Sequence, residues 1–135
     1  MRRYLLDTNA LGDFINRRHE VDDRVRGALR AGHRVGTCPP AVGEYRYGLE
    51  LSTSRDENLK RFRVGLDRLL VWPFDVAAAE EFGRLRAALR RAGRPMQPID
   101  IMIAAVALTL GNCTVVTTDS DLSAVPGLAV ENWAA

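Results

Sequence analysis

The sequence predicts a three-layer α/β/α domain with a central, mainly parallel sheet of about five strands. Three observations lead there. Short β-branched and aliphatic runs alternate with longer stretches whose apolar residues recur at three- and four-residue spacing. Strands separated by helices pair in parallel through right-handed crossovers. A chain of 135 residues, 47% of them hydrophobic, suits one core, and no repeat, low-complexity tract or linker divides residues 1–135.

The elements follow in order. Residues 3–6 read as a strand and 10–16 as a helix carrying Leu11, Phe14 and Ile15. Val21, Val25 and Leu29 repeat every four residues, which predicts a second helix ending near Gly32. Residues 34–37 form a short strand, and Pro39-Pro40 opens a helix through Leu51, since proline fits a first helical turn. A helix is predicted over 58–70, with Leu59, Phe62, Leu66 and Leu69 on one side, and a third strand over 70–74. Residues 77–92 form a strong helix closed by Gly93. Residues 98–110 form another, stopped by Gly111-Asn112, and strands follow at 114–118 and 128–130. In such a fold, ligands lie beyond the carboxyl ends of the strands.

Composition removes several function classes. The longest apolar run, residues 101–108, is too short to span a bilayer, and Asp7 and Asn9 interrupt any signal-type segment after Met1-Arg2-Arg3. Cys38 and Cys113 have no metal-type spacing and suggest no disulfide scaffold, so the chain reads as a soluble, cytosolic protein. The net charge is only +2, yet Lys60 is the single lysine and nearly all positive charge is arginine. Arg84, Arg86, Arg90, Arg91 and Arg94 fall in one helical stretch. A basic face of this kind suits phosphates, although a solvated helix surface has the same pattern.

The acids carry the chemistry. Asp7 ends the first strand in "YLLDTNAL". An aspartate there often caps the next helix, but Thr8 and Asn9 can also cap, which would leave the carboxylate free. Asp100 stands in the first turn of a helix that is apolar nearly all round, in "QPIDIMIAAVALTL". A carboxylate at the buried end of such a helix needs a cation or several donors to offset its desolvation. Asp119 closes the strand in "TVVTTD", with Asp121 two residues on, where it can share the site or shape a turn. In "PPAVGEYRYGLEL", Glu44 shares a partly apolar stripe with Tyr47 and Leu51, whereas Glu50 pairs with Arg46 at surface spacing.

Asp7 and Asp119 end strands, and Glu44 and Asp100 begin helices that return from the same edge. Clustered carboxylates repel unless a cation joins them. An oxygen-only set without Cys or His points to Mg²⁺, with Mn²⁺ able to substitute. An ion so held activates water and stabilises a pentavalent phosphate, the chemistry of phosphodiester hydrolysis.

In these stretches, together with "VVTTDSDL" and "VPGLAVENW", the chain resembles PIN-domain ribonucleases of the VapC toxin type over essentially its whole length. The resemblance implies a Mg²⁺-dependent endoribonuclease, the toxin of a type II toxin–antitoxin pair, with Asp7, Glu44, Asp100 and Asp119 as its acidic quartet. It also implies supporting roles for Asn9 and Thr117, and a less defined place for Asp121 at the metal. Ile99 departs from the pattern, since relatives often carry a polar residue before the third acid. The implied partners are a VapB-like antitoxin, an RNA substrate such as tRNA or rRNA, and a second copy of the chain. On this reading Arg84, Arg86, Arg90 and Arg91 hold RNA, and apolar residues of the helix pair at 10–30 form a groove for the antitoxin.

Rival readings fit less well. A phosphoryl-transfer receiver domain needs a lysine after its last strand, and Lys60 lies mid-chain. A haloacid-dehalogenase-like phosphatase wants Asp-x-Asp where this chain has Asp7-Thr8-Asn9. No glycine-rich phosphate loop occurs. A non-catalytic RNA-binding or antitoxin-sequestering module is the alternative of another class. His19 and His33 read as surface residues, so the ribose 2′-OH has no histidine pair to activate it.

Overall fold

The computed structural model describes residues 1–134. The strands are β1 (Arg3–Leu6), β2 (Arg34–Thr37), β3 (Leu70–Val71), β4 (Cys113–Val116) and β5 (Ala129–Glu131). The helices are α1 (Thr8–Ile15), α2 (Val21–Arg30), α3 (Pro39–Glu50), α4 (Arg55–Asp67), α5 (Val76–Arg91) and α6 (Pro98–Leu110), with a 3₁₀ turn at Ser120–Ala124. All strand pairs are parallel, in the order β3-β2-β1-β4-β5.

That order places a switch at the centre. The chain builds β1, β2 and β3 outward on one side, then crosses back to lay β4 on the other edge of β1, pairing Leu6 with Val116. At such a reversal the crossovers leave to opposite faces, which opens a crevice at the carboxyl edge.

Alternation along the strands divides the core. Tyr4, Leu6, Val35 and Val116 face α1, α2 and α4, where Phe14, Val21, Val25 and Phe62 close one cluster. Leu5 and Val115 face α5 and α6, where Leu85, Leu89, Ile101 and Val106 close the other. The third helix reaches both, with Ala41 in the second cluster and Leu49 in the first. It therefore straddles the edge of the sheet and carries Glu44 there.

The apolar stripe of the helix pair at 10–30 goes mostly into the core, while Phe14 and Ile15 also line a cavity shared with α4. Leu11, Phe14, Ile15, Val21 and Val25 are all spent in the core, and only Leu29 stays open, at 47% exposed. An α1–α2 hairpin over a twisted sheet needs its whole apolar stripe for burial.

Helix ends explain the shifted boundaries. Helix α4 begins at Arg55, three residues before the predicted start, because its first turn is polar and marked by acids (Asp56 and Glu57) rather than by apolar spacing. Strand β3 stops at Val71, since Pro73 follows and proline cannot extend a ladder.

Three helices close with the same left-handed turn. Gly32 after α2 (φ 86°) and Gly93 after α5 (φ 71°) take the position that favours glycine. After α1 the residue in that place is Arg17, at φ 54°. Its N–H donates to the Phe14 carbonyl (3.3 Å) and that of Arg18 to the Asp13 carbonyl (2.8 Å), the same two-bond closure. A side chain in that conformation costs about 1–2 kcal/mol.

Candidate active site

The carboxyl edge is tied together before any acid is considered. The Asp7 N–H donates to the Val116 carbonyl (3.1 Å), which carries the β1–β4 ladder one step beyond the strands. The Thr37 hydroxyl donates to the Leu6 carbonyl (2.9 Å), and the Thr117 N–H to the Glu131 carbonyl (2.9 Å). Four strand ends therefore hold one rigid rim. Thr37, buried at the end of β2, carries no sequence signal of this role because its partner is a backbone carbonyl 31 residues away.

Asp7 leaves β1 and turns into α1. Its Oδ1 accepts from the Ala10 N–H (2.9 Å), so the aspartate itself caps the helix and Thr8 and Asn9 lie inside it. The expectation that a neighbour caps in its place is corrected: the residue preceding the helix owns the extended backbone that a cap needs. Asp7 is only 3% exposed. Burial pushes its carboxyl above the ordinary range, the Thr117 side chain and the Ala10 N–H pull it back, and the charges of Asp119 and Glu44 push it up again.

Thr117 and Asp119 come from the end of β4. Thr117 is 4% exposed, and its hydroxyl accepts from the Asp119 N–H (2.9 Å). The Asp119 Oδ1 in turn accepts from the Asp121 N–H (2.9 Å), opening the 3₁₀ turn and leaving Asp121 exposed at the margin. These contacts explain why short polar residues stand at the end of this strand.

Asp100 reports the cluster. Pro98 opens α6, which sets Asp100 in its first turn above the buried Ile101, Ile103 and Ala104. Its carboxyl is pushed up to about 6, first by burial and then by the charges of Asp119, Glu44, Asp7 and Asp121. All five acids from the sequence thus share one electrostatic field. Cys38, at the end of β2, feels Asp7 too, and burial pushes its thiol up to about 11, so it is no nucleophile.

Beside the acids opens a cavity of about 760 Å³. Thr8, Asn9, Glu44 and Thr118 line it together with Arg18, His19 and Arg61. Of the four principal acids only Glu44 reaches its wall. Thr8 Oγ1 is buried there without a hydrogen-bond partner among the described residues.

The remaining candidates lie apart. Arg84, Arg86, Arg90 and Arg91 are exposed on α5, Arg84 is paired with Glu81, and none of the four lines the cavity beside the acids. The apolar repeat located that helix but could not say which way its outer face looks. His33 is not a free surface residue: it is half-buried against Tyr4 (ring centres 5.6 Å) and accepts from the Arg2 N–H (3.0 Å). His19 lies in the cavity wall with Asp13 at 3.2 Å. The two form no pair.

A divalent ion can be tested against these side chains. The donor set is all oxygen, it is crowded enough to raise two carboxyls, and an unpartnered hydroxyl adjoins it. No group of three or more Asp, Glu, His or Cys among the described residues is already drawn in around a common ion position. The chemistry of the donors fits a hard cation.

Residues 4–128 match the PIN domain family. The chain belongs to that family. Within it the likeness is to VapC proteins. The chain is 33% identical to the tRNA(fMet)-specific endonuclease VapC of Shigella flexneri, over 98% of this chain and 99% of the relative. It is 32% identical to the same-named protein of Salmonella typhimurium, with the same coverage. Among solved structures, DNA-bound VapBC from Salmonella typhimurium superposes with a TM-score of 0.88 at 32% identity, covering 98% of this chain and 99% of that one. VapBC2 from Rickettsia felis, bound to a fragment of its promoter, gives 0.89 at 25% identity, covering 97% and 98%. This PIN domain is thus of the VapC type, and its five-stranded parallel sheet between helices is the fold of those structures. Among the described residues, no helix is long and apolar enough to cross a membrane.

Proposed function

We propose that the chain is a Mg²⁺-dependent endoribonuclease that hydrolyses RNA phosphodiesters and acts as the toxin of a VapBC-type pair. The observation that carries this reading is the convergence of Asp7, Glu44, Asp100 and Asp119 at the β1–β4 switch, felt as the upward push on Asp100. Asp7 and Asp100 would hold the ion most directly, with Glu44 and Asp119 completing the set and Asp121 at its edge. The ion would supply an activated water and charge stabilisation on the phosphate.

The chain's own residues do the rest. The helix-capping bond to Ala10 fixes the Asp7 carboxylate, so the ligand is oriented before anything binds. Thr117 holds the Asp119 backbone and offsets part of the burial of Asp7. Asn9, exposed on the cavity wall beside Glu44, can donate to a phosphate oxygen. With no histidine pair for the 2′-OH, cleavage should leave 5′-phosphate and 3′-hydroxyl ends.

The test uses the purified chain and a panel of RNAs, with initiator tRNA first because the VapC relatives of Shigella flexneri and Salmonella typhimurium are named for it. Cleavage in Mg²⁺, its loss in EDTA and its loss in Asp100→Asn support the reading, and Mg²⁺-independent cleavage overturns it. The solved relatives are VapBC complexes, so a VapB-like antitoxin is the proposed partner. Co-expression with one should silence the nuclease and yield a stable complex. A homodimer is proposed as the free state, to be read by sedimentation.

A further inference from the structure

Four cations line two adjoining cavities with no carboxylate partner among the described residues: Arg17 and Arg18 in the loop after α1, and Lys60 and Arg61 on α4. All four are exposed. Arg18 and Arg61 line the cavity that also holds Glu44. A second cavity, of about 600 Å³, shares those two arginines and adds Arg17, Lys60 and the exposed Val64, with Phe14 and Ile15 behind them. The two cavities adjoin at Arg18 and Arg61. Arg68 also lines the second, but that side chain is already bound to Asp22 at 2.8 Å.

The loop backbone adds an independent observation. Arg17 occupies the left-handed closing position that α2 and α5 give to glycine. His19 and Glu20 in the same loop also have positive φ (55° and 61°), so backbone strain, which gathers at functional sites, is concentrated in the segment that carries Arg17 and Arg18.

We propose that the two cavities form one channel that holds the sugar–phosphate backbone of single-stranded RNA beside the linkage being cut, with Arg17, Arg18, Lys60 and Arg61 as its phosphate contacts. The proposal rests on the nuclease reading above and names the track of its substrate. Arginine forks and a lysine suit phosphate oxygens, and Val64 offers a base an apolar surface. The evenly spaced anions of a phosphodiester chain can meet all four cations along one strand, and the adjoining cavity holds Glu44, which favours RNA over an acidic peptide. The α5 arginines are replaced in this role.

Lys60 is the only lysine, so lysine acetylation is a site-specific footprint. The Asp100→Asn protein, with and without a single-stranded oligoribonucleotide, is treated with an acetylating reagent and read by mass spectrometry, with the Met1 amino group as control. RNA should protect Lys60 severalfold. Binding by a protein that also carries Arg17→Gly, Lys60→Ala and Arg61→Ala should lose about 2 from the slope of log affinity against log salt, since each single-stranded phosphate contact contributes about 0.7. On the otherwise native protein the same three substitutions should raise KM for a long RNA at least tenfold, with a much smaller change in kcat. Arg17→Gly alone should bind RNA more weakly yet melt roughly 2–5 °C higher, a combination that a purely structural arginine cannot give.

Equal acetylation with and without RNA, or an unchanged salt slope, overturns the channel. Protection of Lys60 by an antitoxin peptide but not by RNA overturns it in favour of a protein partner. Footprint and slope need no turnover, so a protein that binds in the channel but never cleaves would sink the nuclease reading alone.

Discussion

Replacing Asp100 by asparagine should make the metal-free protein more stable. The carboxyl is pushed from 3.8 to about 6 in the folded state by burial and by the neighbouring acids. Each unit of such a shift corresponds to about 1.4 kcal/mol. The side chain is only half-buried and solvent screens part of the field, which leaves about 1–2 kcal/mol. Between pH 3.8 and about 6 the folded protein keeps a proton that the unfolded chain releases, so stability falls as pH rises through that window. Asparagine has no proton to lose. Its advantage is therefore complete above about pH 6 and fades toward pH 4. Melting followed by circular dichroism in EDTA should show the variant about 3–6 °C above the parent near neutral pH, with a smaller gap in acid. Saturating Mg²⁺ should reverse the order, since ligand at about a hundredfold its Kd stabilises only the protein that binds it, by about 2.7 kcal/mol. A variant that melts at or below the parent in EDTA near neutral pH, or a gap that does not shrink in acid, would refute the shared-field account of this site.

Other residues give separate tests. Thr117→Val keeps shape but removes the hydroxyl that serves Asp7 and the Asp119 N–H; Mg²⁺-dependent cleavage should drop about 10–100-fold, read by initial rates, with the protein still folded. Arg68 binds the carboxylate of Asp22, which is 6% exposed, and lies 4.8 Å over the Phe14 ring. Arg26 also reaches Asp22, at 2.9 Å. Arg68→Ala should cost about 1–3 kcal/mol in urea unfolding, and a loss under half of that would mean Arg26 alone satisfies the aspartate. A side chain at Gly36 would meet the Leu70 carbonyl oxygen at 2.6 Å and the Trp72 ring at 2.8 Å. Gly36→Ala should therefore lower the urea midpoint by about 1–3 kcal/mol of stability without a change in slope.

What the sequence made readable follows from where the information sits. Element order, the five strands and the buried character of α6 are written in apolar spacing, and the strand-end acids stand out because little else justifies a carboxylate there. The capping bond of Asp7 is less visible, since three successive residues can all cap and only backbone geometry chooses among them. The direction of an outward face is not encoded in period at all, which is why the α5 arginines looked suited to RNA and are not at the cavity. The channel escaped for the opposite reason. Arg17 and Lys60 lie 43 positions apart, join no motif, and meet only because α4 packs against the end of α1. The apolar residues of α1 and α2 misled differently: their number suggested a surplus, but a helix pair covering a five-stranded sheet leaves almost none over.

The central switch also has a consequence for how this protein is made. Leu6 waits for Val116, some 110 positions later, before the second edge of β1 is covered. At about 5–20 residues per second, synthesis needs roughly 5–20 s to cross that gap. For much of that interval Asp7 and Glu44 have been made while Asp119 does not yet exist. A nascent chain is thus an unfinished rim, and the last strands to emerge are the ones that bring its acids together.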